Sequence, residues 1–152
     1  MAKSLRKIII YTDGSCYPNP GVGGWGVILK DLHTDKTREL KGGKEYTTSP
    51  EMELTAVLQA LEHLKYSCNV KIYTDSEYVQ KGITEWIETW RLGDWKKSIK
   101  HKHKWKRLYE LNQIHEVEWI WVPGHAGIEG NERANDLAIE ARKEQAMEKE
   151  IG

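Results

Sequence analysis

Residues 6–13 read Arg-Lys-Ile-Ile-Ile-Tyr-Thr-Asp and residues 70–75 read Val-Lys-Ile-Tyr-Thr-Asp, so the tetrapeptide Ile-Tyr-Thr-Asp stands at 10–13 and again at 72–75. Each copy closes an apolar, β-branched run that predicts a buried strand. Each is followed by a small, flexible step: Gly14-Ser15 in the first, Ser76 in the second. In parallel neighbouring strands at similar register, the Asp13 and Asp75 carboxylates would stand about 5 Å apart at the C-terminal edge of one sheet. Open α/β sheets bind their ligands at that edge. Carboxylates this close repel unless a proton or a cation lies between them. A hard divalent cation held by oxygen is the natural occupant. The plainer alternative, Asp75 as a helix cap and Asp13 as a turn residue, suits one aspartate better than a matched pair.

Residues 16–24, dense in Gly and Pro, predict a turn, and residues 25–32 and 36–42 alternate around His33-Thr34-Asp35 as a hairpin. Ser49-Pro50-Glu51 predicts a helix start, with Ser49 as the N-cap, Pro50 in the first turn and an acid on the positive end of the dipole. Leu54, Val57, Leu58, Leu61 and Leu64 then recur at helical spacing as a core stripe. After the strand at 70–75 come short helical segments at 76–81 and 84–90, broken by Leu92-Gly93-Asp94. A helix follows over 104–113, a strand over 117–122, a loop at 123–127 and a helix from about Asn131, its turns after about 142 expected to fray. Three strands, helix, strand, helices, strand, helix is an α/β order: a mixed sheet with helices packed on it, in a single domain over 1–152.

At 152 residues with 39% hydrophobic content the chain suits one globular core, and seven Trp with no Phe require several half-exposed indoles. No run approaches the roughly 18 apolar residues of a membrane span, and the N-terminal residues lead into a strand rather than a signal sequence. Cys16 and Cys68 are too few for a disulfide framework, so free thiols and a cytoplasmic location are expected; a monomer is expected as well. The 23 basic and 23 acidic residues cancel. Their distribution does not. Between Arg91 and Arg107 the chain carries Lys96, Lys97, Lys100, Lys102, Lys104 and Lys106 against Asp94 alone, interleaved with Trp95 and Trp105. A basic, Trp-studded segment suits phosphate and sugar contacts; the alternative is a solvated helix face over core tryptophans.

Glu53 is a third candidate acid, sharing a helix flank with the small Ala56 and Ala60, which permit close packing on the sheet. The alternative is a first-turn acid complementing the helix dipole. His125, between Gly124 and Ala126-Gly127, is either a surface loop residue or a proton carrier beside those acids.

Taken in order, Thr12-Asp13-Gly14-Ser15-Cys16 with Asn19-Pro20-Gly21, Met52-Glu53-Leu54, Thr74-Asp75-Ser76-Glu77-Tyr78-Val79, Gly82-Ile83-Thr84-Glu85-Trp86-Ile87, Gly124-His125-Ala126-Gly127 and Asn131-Glu132-Arg133-Ala134 resemble the type 1 ribonuclease H family. The resemblance covers nearly the whole chain to about residue 142. It implies a five-stranded sheet with strands two and three antiparallel to the rest. It implies an endonuclease that cuts the RNA strand of RNA–DNA hybrids with two Mg²⁺ or Mn²⁺ ions, leaving 5′-phosphate and 3′-hydroxyl ends. Asp13, Glu53 and Asp75 would hold the ions, and His125 would assist proton transfer or product departure. The basic segment with Trp86 and Trp90 resembles the family's handle for the DNA strand, whereas Asn19, Thr48, Ser49 and Glu77 fall among hybrid-contacting positions.

Ser49-Pro50-Glu51 stands where the family carries Asn-Asn-Arg, Glu77 replaces a Gln, and the handle is shorter than in familiar bacterial members. The family's fourth carboxylate, two residues after the Arg of Asn-Glu-Arg, falls here on Asn135. Ala134, Leu137, Ala138 and Ala141 form the packed stripe of that helix, and at about 100° per residue Asn135 lies on its flank while Asp136 points away. Asn135 is therefore the expected fourth site residue, an amide oxygen in place of a charge. Asn135 and Glu77 also keep open a different class, a hybrid-binding module that cleaves weakly or not at all. A metal-free ribonuclease would typically need two histidines and has one candidate.

Overall fold

The computed structural model describes residues 5–96, 98–124 and 127–151. Its frame is a five-stranded sheet of β1 (Arg6–Cys16), β2 (Gly21–Asp31), β3 (Thr37–Thr47), β4 (Cys68–Thr74) and β5 (Glu116–Trp121), in the order β3-β2-β1-β4-β5. β1 pairs antiparallel with β2 and parallel with β4, β2 antiparallel with β3, and β4 parallel with β5. β2 alone therefore runs against the other four strands; the family resemblance implied that β3 opposes them too, but β3 pairs antiparallel with β2 and so runs in the direction of β1.

The helices are α1 (Ser49–Glu62), α2 (Glu77–Lys81), α3 (Ile87–Leu92), α4 (Lys102–Ile114) and α5 (Glu129–Ile151), with a π-helical turn at Gly82–Trp86 joining α2 to α3. α1 covers one face of β1 and β2, and α4 and α2 lean on α1; α5 covers the other face across β1, β2 and β3. The alternation of β1 follows from this sandwich. Ile8, Ile10 and Thr12 are buried toward a core that includes Leu54, Val57, Leu61, Val70, Ile72, Trp105 and Leu108.

Glycine in β2 lets α5 lie directly on the sheet. A Cβ at Gly26 would stand 2.8 Å from Ala138 N, and one at Gly24 would stand 2.5 Å from Arg142 N. Helix backbone occupies the space that side chains would need.

Several boundaries differ from those read in the sequence. Gly21–Gly24 belongs to β2 rather than to a turn, because Gly23 makes room for Thr47 and for Met52 of α1 and Gly24 makes room for α5. β3 runs to Thr47 rather than 42, where Gly21 still pairs with Thr47. The N-cap of α1 is Thr48, whose hydroxyl accepts from Glu51 N at 3.3 Å, so Ser49 is already helical. The segments expected at 76–81 and 84–90 are continuous through the π-helical turn, with the Ser76 hydroxyl accepting from Val79 N at 3.1 Å. α5 starts at Glu129, before Asn131, and stays helical beyond 142 as far as Ile151. Among the described residues, no helix is long and apolar enough to cross a membrane.

Candidate metal centre and nucleic-acid interface

β1 and β4 run parallel in matched register, Ile10 opposite Ile72 and Tyr11 opposite Tyr73. The repeated tetrapeptides therefore deliver Asp13 and Asp75 side by side at the strand ends. Glu53 joins them because Gly14 lets α1 press onto β1: a Cβ at Gly14 would stand 2.7 Å from the Met52 carbonyl carbon. Each of these three acids offers a carboxylate oxygen within 4.8 Å of the others. Glu53 sits on the sheet-facing flank of α1, not on its solvated rim.

The electrostatics match that crowding. Burial, then the nearby Asp75 carboxylate, push Asp13 up to about 7, against a hydrogen bond from Gly14 N at 2.9 Å. Burial also pushes Glu53 up to about 7; the Ser76 hydroxyl opposes it and Asp75 adds to it. Two acids held near neutrality by desolvation and by neighbouring carboxylates form a site short of positive charge. Oxygen donors only, clustered and undercompensated, fit a hard divalent cation.

Asn135 lines a small cleft together with Asp13 and Asp75, whereas Asp136 lines a neighbouring hollow with Lys30, Arg133 and Glu39; Glu132 borders both. Gly124 lies against the acids, since a Cβ there would be 3.1 Å from Asp75 Oδ2. His125 itself, and Lys97 in the basic segment, lie outside the described residues.

The remaining candidates form a rim and an arm. Asn19 Oδ1 accepts from Ser49 N at 3.2 Å, tying the β1–β2 turn to the start of α1 next to the Thr48 cap. Glu77 is exposed in the first turn of α2. Trp86 and Trp90 pack on one another, and each also touches the aromatic pair formed by Tyr78 and the fully buried Trp105. These two indoles therefore serve packing as well as surface. Lys96 and Lys100 are exposed, and Lys102 and Lys104 open α4 half-buried. Arg91 is held by Glu88, and Arg107 by Glu62 and Glu110.

Glu51 carries more than the sequence suggests. It is a buried acid that accepts from Lys44 Nζ at 2.7 Å and from the Thr47 hydroxyl, and His101 Nδ1 lies 3.7 Å away. Burial alone would raise Glu51, but Lys44, Thr47 and then His101 bring it below its usual value. It fastens the start of α4 to the helix that carries Glu53. In the sequence it reads only as a first-turn acid, because Lys44, Thr47 and His101 come from other segments. Glu132, which lines the same cleft as Asn135, is also absent from the residues singled out by sequence, although its spacing of three on one helix is a signal for it.

The family model for RNase H matches residues 5–143. A ribonuclease H of Methylobacillus flagellatus is 54% identical over 139 residues, covering 89% of this chain and 91% of that protein. Of the similar solved structures, LC9-RNase H1, described as a type 1 RNase H with the type 2 active-site motif, has a TM-score of 0.85 at 31% identity, over 95% of this chain and 76% of that one. LC11-RNase H1, solved in complex with an RNA/DNA hybrid, has a TM-score of 0.67 at 25% identity, over 90% of this chain and 97% of that one.

Proposed function

The chain belongs to the ribonuclease H family, and from that membership we propose that it binds RNA–DNA hybrids and hydrolyses their RNA strand, using two divalent ions, Mg²⁺ or Mn²⁺. The observation that carries this reading is the convergence of Asp13, Glu53 and Asp75 within 4.8 Å at the C-terminal edge of the sheet. We assign those three acids, with the amide oxygen of Asn135, as the groups that hold the ions. When bound, such ions supply Lewis acidity to the phosphoryl oxygens and offset the charge of an in-line displacement.

The chain's own residues do the rest. Asp13, central between strand and helices, is held by Gly14 N, so one of its oxygens keeps a fixed direction. Glu53 is carried to the site by α1, and the bare Gly14 leaves the carboxylates within reach of one another. His125, next in sequence after Gly124, is assigned to proton transfer at the 3′-oxygen as the bond to phosphorus breaks, which leaves 5′-phosphate and 3′-hydroxyl ends. The arm from Trp86 to Lys104 is assigned to the DNA strand by lysine–phosphate contacts. Asn19, Thr48 and Ser49 are assigned to the hybrid on the opposite rim, and Glu77 to its edge.

Incubating the chain with end-labelled hybrid, duplex RNA and duplex DNA, with and without Mg²⁺, tests the proposal. Cleavage of the RNA strand in the hybrid alone, and only with metal, is expected. Asp13→Asn and Asp75→Asn should each reduce that cleavage to background while the circular dichroism spectrum is unchanged; near-wild-type turnover in either variant would defeat the metal assignment. Asn135 in the cleft favours a second reading, a hybrid-binding module of low activity. Tight hybrid binding without cleavage at any metal concentration would select it.

A further inference from the structure

The first two turns of α5 turn three polar side chains, Asn131, Glu132 and Asn135, toward the cleft that Asp13 and Asp75 line. The cleft encloses about 20 Å³, and roughly 10–15 Å³ suffices for one water-sized body. Asn131 Nδ2 donates to the Tyr73 carbonyl at 3.5 Å, which fixes the orientation of the amide. Its Oδ1 is then buried with no hydrogen-bond partner. An orphaned buried acceptor costs about 1–3 kcal/mol, so the position suits a bound cation or the water that such a cation carries.

The charge count points the same way. With Asn135 neutral, the centre lacks one of the negative charges expected at the family's fourth position. Asp136 cannot restore it, because it borders only the neighbouring hollow beside Arg133 and Lys30 and takes no part in lining the cleft. Glu132 can. It lies three residues before Asn135 on the same helix face, it stands between that hollow and the cleft and borders both, and its field reaches Asp13. The neighbouring Arg133 points elsewhere, donating to Glu39 at 2.7 and 2.9 Å, and leaves Glu132 uncompensated from that side.

We propose that Glu132 belongs to the metal centre of this chain, supplying from one helical turn earlier the negative charge that Asn135 lacks, with Asn131 Oδ1 as a neutral oxygen for the same cation or its water. The proposal rests on the assignment of Asp13, Glu53 and Asp75 as metal-holding acids. The ligand class is a hard divalent cation, since every donor in the cleft is oxygen.

Mn²⁺ binding to the metal-free protein, followed by calorimetry and by the electron paramagnetic resonance signal of free Mn²⁺, tests it. Glu132→Gln should weaken Mn²⁺ affinity about 10- to 100-fold. Adding Asn135→Asp to that variant should return affinity toward the wild-type value. Asp136→Asn, which removes the same charge from a side chain facing away, should leave affinity unchanged. Wild-type affinity in Glu132→Gln overturns the proposal. So does a loss in Asp136→Asn as large as in Glu132→Gln, since the effect would then be bulk charge. Asp13→Asn separates the two layers: loss of Mn²⁺ binding upholds the underlying assignment, whereas wild-type binding in that variant overturns the assignment itself, whatever Glu132→Gln does. Thermal melts of each variant in chelator show whether the fold is retained.

Discussion

Asp13 and Glu53 are in the native protein what they would not be in an unfolded chain: acids that hold their protons to about pH 7. Their ordinary values are 3.8 and 4.5. Because the native pKa is raised, the folded state binds more protons than the unfolded state between about pH 4 and pH 7. Metal-free stability should therefore fall as pH rises through that window and level off above it. A tenfold difference in proton affinity between the folded and unfolded states is worth about 1.4 kcal/mol. Since the two acids share one environment, a combined loss of a few kcal/mol is expected. Thermal melts in chelator from pH 4 to pH 8 measure it. Asp13→Asn should melt higher than wild type at pH 8 and close to it at pH 4; the same melting difference at both pH values would exclude this origin. Divalent metal should raise the wild-type melting temperature at pH 8 and do little for Asp13→Asn. Asp13 and Asp75 were legible in the sequence because a repeated tetrapeptide in two strands carries register with it. Glu53 was only half legible, because its approach depends on Gly14, far away in the chain. Glu51 was not legible as a tether, since its partners Lys44, Thr47 and His101 sit on other segments.

The arm from α2 to α4 packs on the core through Val79, Ile87 and Trp105, with its tightest fit at Gly82. A Cβ at Gly82 would fall within the ring of the fully buried Trp105, whose Nε1 donates to the Tyr78 hydroxyl at 3.0 Å. Gly82→Ala should therefore destabilise by about 1–3 kcal/mol through overpacking, despite alanine's better helix propensity. Urea denaturation checks this, and an unchanged or raised midpoint would mean that the ring yields freely. The basic face of the same arm acts on binding. Replacing Lys96, Lys97, Lys100, Lys102 and Lys104 together by Gln should raise KM and flatten its salt dependence while kcat stays near wild type. A fall in kcat with KM unchanged at every ionic strength would remove the arm from the interface. The helical and basic character of the arm was readable from composition, but its continuity through the π-helical turn was not. The short apolar runs look like separate segments until Trp105 is placed under Gly82, whereas the break at Leu92-Gly93-Asp94 is real, α3 ending at Leu92.

Across the whole molecule the neutral sum of charge conceals a division of labour. The acids of the metal centre gather at the C-terminal ends of β1 and β4, and the lysines gather on the arm that α1 anchors through Glu51 and His101. The element order along the chain followed from periodicity and the reversal of β2 from the family resemblance, whereas the order of strands across the sheet and the direction of β3 depend on pairings that no local pattern carries. The lengths of β2 and β3 did not, since glycines written as turn signals here make room for neighbours on both faces, Gly23 for Thr47 and Met52 and Gly24 for α5. That accommodation has a mechanical consequence. With Ala138 N and Arg142 N against Gly26 and Gly24, α5 is seated like a keyed shaft, free neither to slide along its axis nor to roll. A single-residue slip would drive a side chain into the strand. The azimuth of every residue on that helix is thus dictated by two glycines more than a hundred positions earlier in the chain. A lost carboxylate at position 135 cannot be recovered by turning the helix to present Asp136; it can return only by a change of residue, or from a neighbour already at the same azimuth.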